Sequence, residues 1–119
     1  MSSSKSNLEI WNEFQELVNM SPSQIEDWLE TKESKSVGDT GDASSTGRAS
    51  GKRIITIKRT NKDDLSEDQW SHMAKVVGYI KRHCTQGGPD DHAESSNWRY
   101  SLMNWGHDPL KSDGCRESA

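Results

Sequence analysis

One stretch constrains the fold of this chain more than any other: Ser66–Cys84, SEDQWSHMAKVVGYIKRHC. Trp70, Met73, Val77, Ile80 and Cys84 follow steps of three, four, three and four. That spacing places them on one stripe of an α-helix, and the stripe needs something to pack against. Ser66 with Gln69 fits a capping box, and Glu67 and Asp68 sit where the positive end of the helix dipole favours acids. Lys81, Arg82 and His83 suit the other pole, and Gly87, Gly88 and Pro89 end the helix.

The face opposite the stripe carries the first functional clue. At about 100° per residue, Lys75, Tyr79 and Arg82 fall together on the outer side, with His72 and His83 beside them. This reads as a basic face with an aromatic at its centre; the plainer reading is a solvated face that keeps the protein soluble. Gly78 costs up to about 1 kcal/mol relative to Ala in a helix interior, so it is expected to mark a close backbone approach beside Ala74.

A chain of 119 residues is one domain, and 29% hydrophobic content allows only a small core, to which five Trp must contribute heavily. No run approaches the roughly 18 apolar residues of a membrane span, and the opening MSSSKSN lacks the apolar centre of a secretory signal. The expected location is therefore cytoplasmic or nuclear, not secreted, with no membrane partner. Asn19-Met20-Ser21 matches a glycosylation acceptor but carries no weight without such a signal. Cys84 lies on the helix stripe and Cys115 in a polar tail, so no disulfide is expected and Cys84 reads as a small core residue.

The net charge of −4 argues against a polyanion partner, yet the charge is unevenly spread. Residues 1–42 carry −6 and residues 63–119 carry −4, whereas residues 43–62 hold Arg48, Lys52, Arg53, Lys58, Arg59 and Lys62 without an acid. A local patch of that kind can still steer a polyanion.

Residues 1–7 and 112–119 are polar and expected to be disordered, flanking a single domain over residues 8–111. Ile10, Trp11, Phe14, Leu17 and Val18 form a first amphipathic helix with Glu9, Glu13 and Glu16 opposite. Ser21, Pro22 and Gln24 mark the start of a second, whose apolar face is Ile25, Trp28 and Leu29. The short connection predicts an αα-hairpin. Residues 33–51, ESKSVGDTGDASSTGRASG, read as a long Gly/Ser-rich loop. Gly47–Lys52 hints at a phosphate-binding loop, but it is one residue short, Arg53 stands where Ser or Thr should follow, and no strand precedes it.

Ile54, Ile55, Thr56 and Ile57 favour a strand, but a lone strand has no partner in this chain. Residues 51–60 are therefore predicted as a short helix capped by Ser50, leaving Lys52 and Arg53 at its positive end, a conflict that a bound phosphate removes. Trp98, Leu102 and Trp105 predict a last helix over Ser96–Trp105, stopped by Gly106, with Arg99 and Asn104 pointing away from its stripe, open to a partner or, on the plainer reading, simply to solvent. His107, Asp108, His92, Cys84 and Cys115 match no recognised ligand spacing, so neither a metal nor a cofactor is expected, and no nucleophile is paired to a base.

The strings FQELVNMSPSQIEDWLETKESKSVG, SGKRIITIKRTNKDDLSEDQWSHMAKVVGYIKRH and WRYSLMNWGHDPLK resemble a family of small microbial proteins catalogued as a domain of unknown function, family 3140. Members of that family are commonly labelled DNA-binding proteins. The resemblance spans about residues 8–111 and implies a helical SGKR segment, with SKSVG and SGKR as fixed parts of the loop; it implies no catalytic residues.

The expected architecture is an all-α, single-domain bundle of about five helices. The expected function is a non-enzymatic DNA-binding module. Arg48, Ser50, Lys52, Arg53, Lys58, Arg59, Lys62, Lys75 and Arg82 would lie against phosphates, with Tyr79 against sugar or base. The alternative is a protein-interaction or regulatory module, with a protein partner or a second copy of the chain in place of DNA.

Overall fold

Serine caps set the helix starts. In the computed structural model, which describes residues 6–38, 42–111 and 114–115, Ser6, Ser21 and Ser66 each close a full capping box, with Glu9, Gln24 and Gln69. They begin α1 (Asn7–Leu17), α2 (Pro22–Leu29) and α5 (Glu67–Gln86). Ser96 caps α6 (Asn97–Asn104) by accepting from the Arg99 amide. Between α2 and α5 lie α3 (Lys32–Gly38) and α4 (Asp42–Lys58), and two short 3-10 turns complete the element order. The fold is an all-α single domain, with no strand among the described residues. The tails expected to be disordered fall largely outside those residues, although Ser6 already caps α1 and Gly114 and Cys115 are placed.

The apolar stripes meet in one core. Phe14, Ile25, Ile54, Met73, Ile80 and Leu102 are fully buried, each worth about 1.5–3 kcal/mol relative to exposure. On α5, Met73, Val76, Val77 and Ile80 face inward while Trp70 and Cys84 pack at the margin. Gly87, at φ 81°, takes the left-handed conformation that ends α5, and Gly106, at φ 83°, turns the chain after α6.

The predicted αα-hairpin does not form. α1 packs on α5, and α2 packs on α4 and α6. The connection explains the difference: Val18 and Met20 are buried in the core, so the linking segment enters the interior and sends the two helices to different partners. Trp11 meets Trp70 with ring centroids 6.4 Å apart, and Glu13 of α1 is ion-paired with Lys81 of α5.

The predicted long loop is mostly helix. α3 occupies residues 32–38, and α4 starts at Asp42 rather than at Gly51, so Ser50 lies within α4 and does not cap it. Lys52 and Arg53 then sit mid-helix, away from the positive end of its dipole, and the electrostatic conflict expected there does not arise. The glycines that read as linker residues are contact residues. A Cβ at Gly51 would stand 2.7 Å from the Asn104 carbonyl oxygen and 3.1 Å from a Leu29 methyl, and one at Gly47 would stand 3.3 Å from Trp105 Nε1. Small residues let α4 lie directly against α6.

Gly78 is the reverse case. Nothing outside its own helix lies within 4 Å of a Cβ built there, so no close approach requires it. The two glycines make opposite predictions. In urea denaturation, Gly51→Ala lowers stability by about 1–2 kcal/mol through overpacking. Gly78→Ala raises it by about 0.5–1 kcal/mol through helix propensity.

Candidate nucleic-acid interface

Helix packing sorts the basic residues into different roles. Ile54 and Ile57 turn inward on α4, which fixes where its cations point. Arg48 Nη2 donates to the Leu29 carbonyl at 3.0 Å, closing the C-terminal end of α2. Lys58 Nζ donates to the Val18 carbonyl at 3.2 Å; burial first, and then the charge of Lys111, hold its pKa below the usual lysine value. Arg59 makes a two-pronged pair with Glu26, at 2.9 and 3.0 Å. Both partners are about half exposed, so water screens the pair and it adds little to stability. Lys62 lies over the Trp11 ring, 5.3 Å from its centroid.

Two residues expected at the interface are taken up by packing, Ser50 buried and Tyr79 half-buried. Ser50 is buried, its hydroxyl hydrogen-bonded to His72 Nε2 at 2.8 Å. Tyr79 is stacked between His83 and Trp105, with each centroid 4.1 Å away, and burial raises its pKa above the ordinary tyrosine value. His72 continues the column on the far side of Trp105, at 6.0 Å. The aromatic placed at the centre of the basic face is thus part of the packing. Sequence spacing put Tyr79 opposite the apolar stripe, but Trp105 from α6 covers that side of α5.

Arg99 and Asn104 also differ from expectation. Arg99 grips Asp108 through Nε at 3.1 Å and Nη2 at 3.0 Å. Burial alone would raise the Asp108 pKa, but Arg99, the Leu110 amide and the charge of Lys111 outweigh it and hold the group below the usual carboxylate value. Asn104 is buried, where its Oδ1 accepts from Trp28 Nε1 at 2.7 Å and from the Ser34 hydroxyl at 2.6 Å.

Lys52, Arg53, Lys75 and Arg82 are exposed and form no ion pair among the described residues. They do not form one surface. Lys52 and Arg59 line a groove of about 510 Å³ between α2 and α4, together with Glu26, Asp27 and Glu30. Arg53 and Lys75 line a separate depression of about 210 Å³ with Asp68, Ser71 and His72. Arg82 lies seven residues beyond Lys75 on α5, two turns further along the same face. Arg53 and Lys75 stand 22 positions apart in the chain, and the contact between α4 and α5 brings them together.

His72 reports the local field. Burial first, then the positive charges of Arg53 and Lys75, push its pKa down to about 4, against a weaker upward pull from the Ser50 backbone. The unfolded imidazole titrates near 6.5, so the folded state binds the proton less readily. The stability this confers is complete above pH ~6.5 and is lost as pH falls toward about 4, on the order of 3 kcal/mol. Urea midpoints between pH 7 and 4.5 check this: the wild type weakens on acidification, and His72→Gln shows a flatter profile.

An unexpected group stands at the far end of α5. Cys84 and Cys115 form a disulfide, so Cys84 is not a lone core thiol, and His107 Nε2 lies 3.8 Å from Cys84 Sγ. The sequence carried no signal for this pairing, because Cys115 is brought back by the turn through Asp108–Lys111 and not by any spacing along the chain.

The geometry defines a small helical protein with a largely aliphatic core and exposed cations divided between separate parts of its surface. The chain belongs to the family described as Protein of unknown function (DUF3140), whose pattern matches residues 13–103. No curated protein and no solved structure matches it. No helix among the described residues is long and apolar enough to cross a membrane.

Proposed function

We propose that this protein is a non-enzymatic DNA-binding module that contacts backbone phosphates through Arg53, Lys75 and Arg82. The supporting observation is that Arg53 and Lys75, from different helices, line one depression together with Ser71. A phosphate seated there meets two cations and a neutral donor, and Arg82 lies along the same face for a neighbouring phosphate. Asp68 on the rim and the net charge of −4 limit affinity and favour a weak, sequence-independent mode.

The second reading, a protein-interaction module, draws on the groove between α2 and α4. There Glu26, Asp27 and Glu30 face Lys52 and Arg59, and such mixed charge suits a protein surface better than a polyanion.

Fluorescence anisotropy with a labelled duplex separates the two. Three phosphate contacts predict micromolar binding at low salt that weakens roughly fortyfold between 50 and 200 mM salt. Replacing Arg53, Lys75 and Arg82 together by Glu abolishes binding, while Lys52→Glu with Arg59→Glu leaves most of it. Absence of binding at low salt overturns the DNA reading; a dimer or larger species in light scattering then supports the protein-interaction reading.

A further inference from the structure

We propose that Cys84, Cys115 and His107 form a zinc site when the Cys84–Cys115 disulfide is reduced. The three donor atoms lie within 4.8 Å of one another, although they come from the end of α5, the turn after α6 and the C-terminal segment. In a tetrahedral zinc site with Zn–S near 2.3 Å and Zn–N near 2.0 Å, neighbouring donors stand roughly 3.5–3.8 Å apart. Cys84 Sγ and His107 Nε2 are 3.8 Å apart, already at that edge length. On reduction the sulfurs must separate, and the solvent-exposed Cys115 is the side that can adjust to the other two donors.

The imidazole is oriented for this task. His107 is buried, and its Nδ1 lies 2.5 Å from the Leu17 carbonyl oxygen. A carbonyl only accepts, so Nδ1 carries the hydrogen and Nε2 presents its lone pair. That lone pair now accepts from the Cys115 amide at 3.3 Å, a bond it exchanges for the metal. A ligating histidine whose other nitrogen donates to a backbone carbonyl is the usual supporting arrangement in zinc sites. Two thiolates balance the charge of Zn²⁺, and the mixed sulfur and imidazole set suits zinc rather than calcium or magnesium. Three protein donors leave a fourth position to water.

The exchange is balanced. A dithiol gives two electrons and two protons to the disulfide and closes to its own cyclic disulfide, leaving two protein thiols. Zinc binding then releases both thiol protons to solvent. Disulfide and metal are alternative clips between the same two points of the chain, and which is present follows the redox state of the surroundings.

The full chain, reduced with dithiothreitol and desalted under argon, is titrated with Zn²⁺ in competition with a chromophoric chelator, and with Co²⁺ as a spectroscopic probe. The expected result is one metal per reduced chain, a sulfur-to-cobalt charge-transfer band with tetrahedral visible bands, and no binding by the oxidised chain. Cys115→Ser, whose side chain is exposed, keeps its helical circular dichroism and binds at least tenfold more weakly. His107→Gln shifts the cobalt spectrum where it folds. A reduced chain that takes up no metal, binding that is indifferent to oxidation, or Cys115→Ser binding as tightly as the wild type overturns the proposal.

Discussion

The close approach of α4 to α6 governs this structure. It depends on the lack of a side chain at Gly47 and Gly51, which lets the backbone of α4 reach the end of α6 around Asn104 and Trp105. A chain with 29% hydrophobic residues cannot fill that junction with aliphatic groups alone. It uses a hydrogen-bonded asparagine instead. Buried amides are costly unless paired, and Asn104 accepts from both Trp28 and Ser34, which ties α2, α3 and α6 together at one residue. The segment that follows continues the pattern: Asn19 and Asp108 exchange two hydrogen bonds, from the Asn19 amide to the Asp108 carbonyl and from the Asp108 amide to Asn19 Oδ1.

That packing decides which cations remain for a partner. With Ile54 and Ile57 inward, Lys52 and Arg59 look toward the acids of α2 and Arg53 looks toward α5. Arg48 and Lys58 are spent on backbone carbonyls at the ends of α2 and α1, where a cation also suits the negative pole of the helix. A basic segment that is continuous in sequence is therefore divided in space, and its functional share is smaller than its charge suggests. The column His83–Tyr79–Trp105–His72 has a related effect. It covers the side of α5 next to the cations with stacked rings, and the burial of His72 there, with two positive charges nearby, keeps its imidazole neutral.

The cysteines show how far spacing along a chain can mislead. Cys84 has the period of a core residue and is half-buried as one, yet its sulfur is bonded to a residue 31 positions away. No local rule connects them. The turn after α6, with Asp108 held by Arg99 and Lys111 donating to the Asn19 carbonyl, is what returns the chain to the end of α5.

Local chemistry was legible in the residues themselves. The capping boxes at Ser21 and Ser66, the stripes of α1, α5 and α6, and the stops at Gly87 and Gly106 all depend on neighbours within four or five positions, and the sequence alone determined them. The helical state of residues 51–58 was also within reach, since a strand there had no partner. The tertiary structure decided the rest. Whether a glycine is linker or contact, whether an arginine meets solvent or a carbonyl, and whether two cysteines meet at all are set by elements far apart in the chain. Those outcomes come from which surfaces press together: residues 33–38 and 42–51 carry the composition of a loop yet form helix, and α6 lies against both helices.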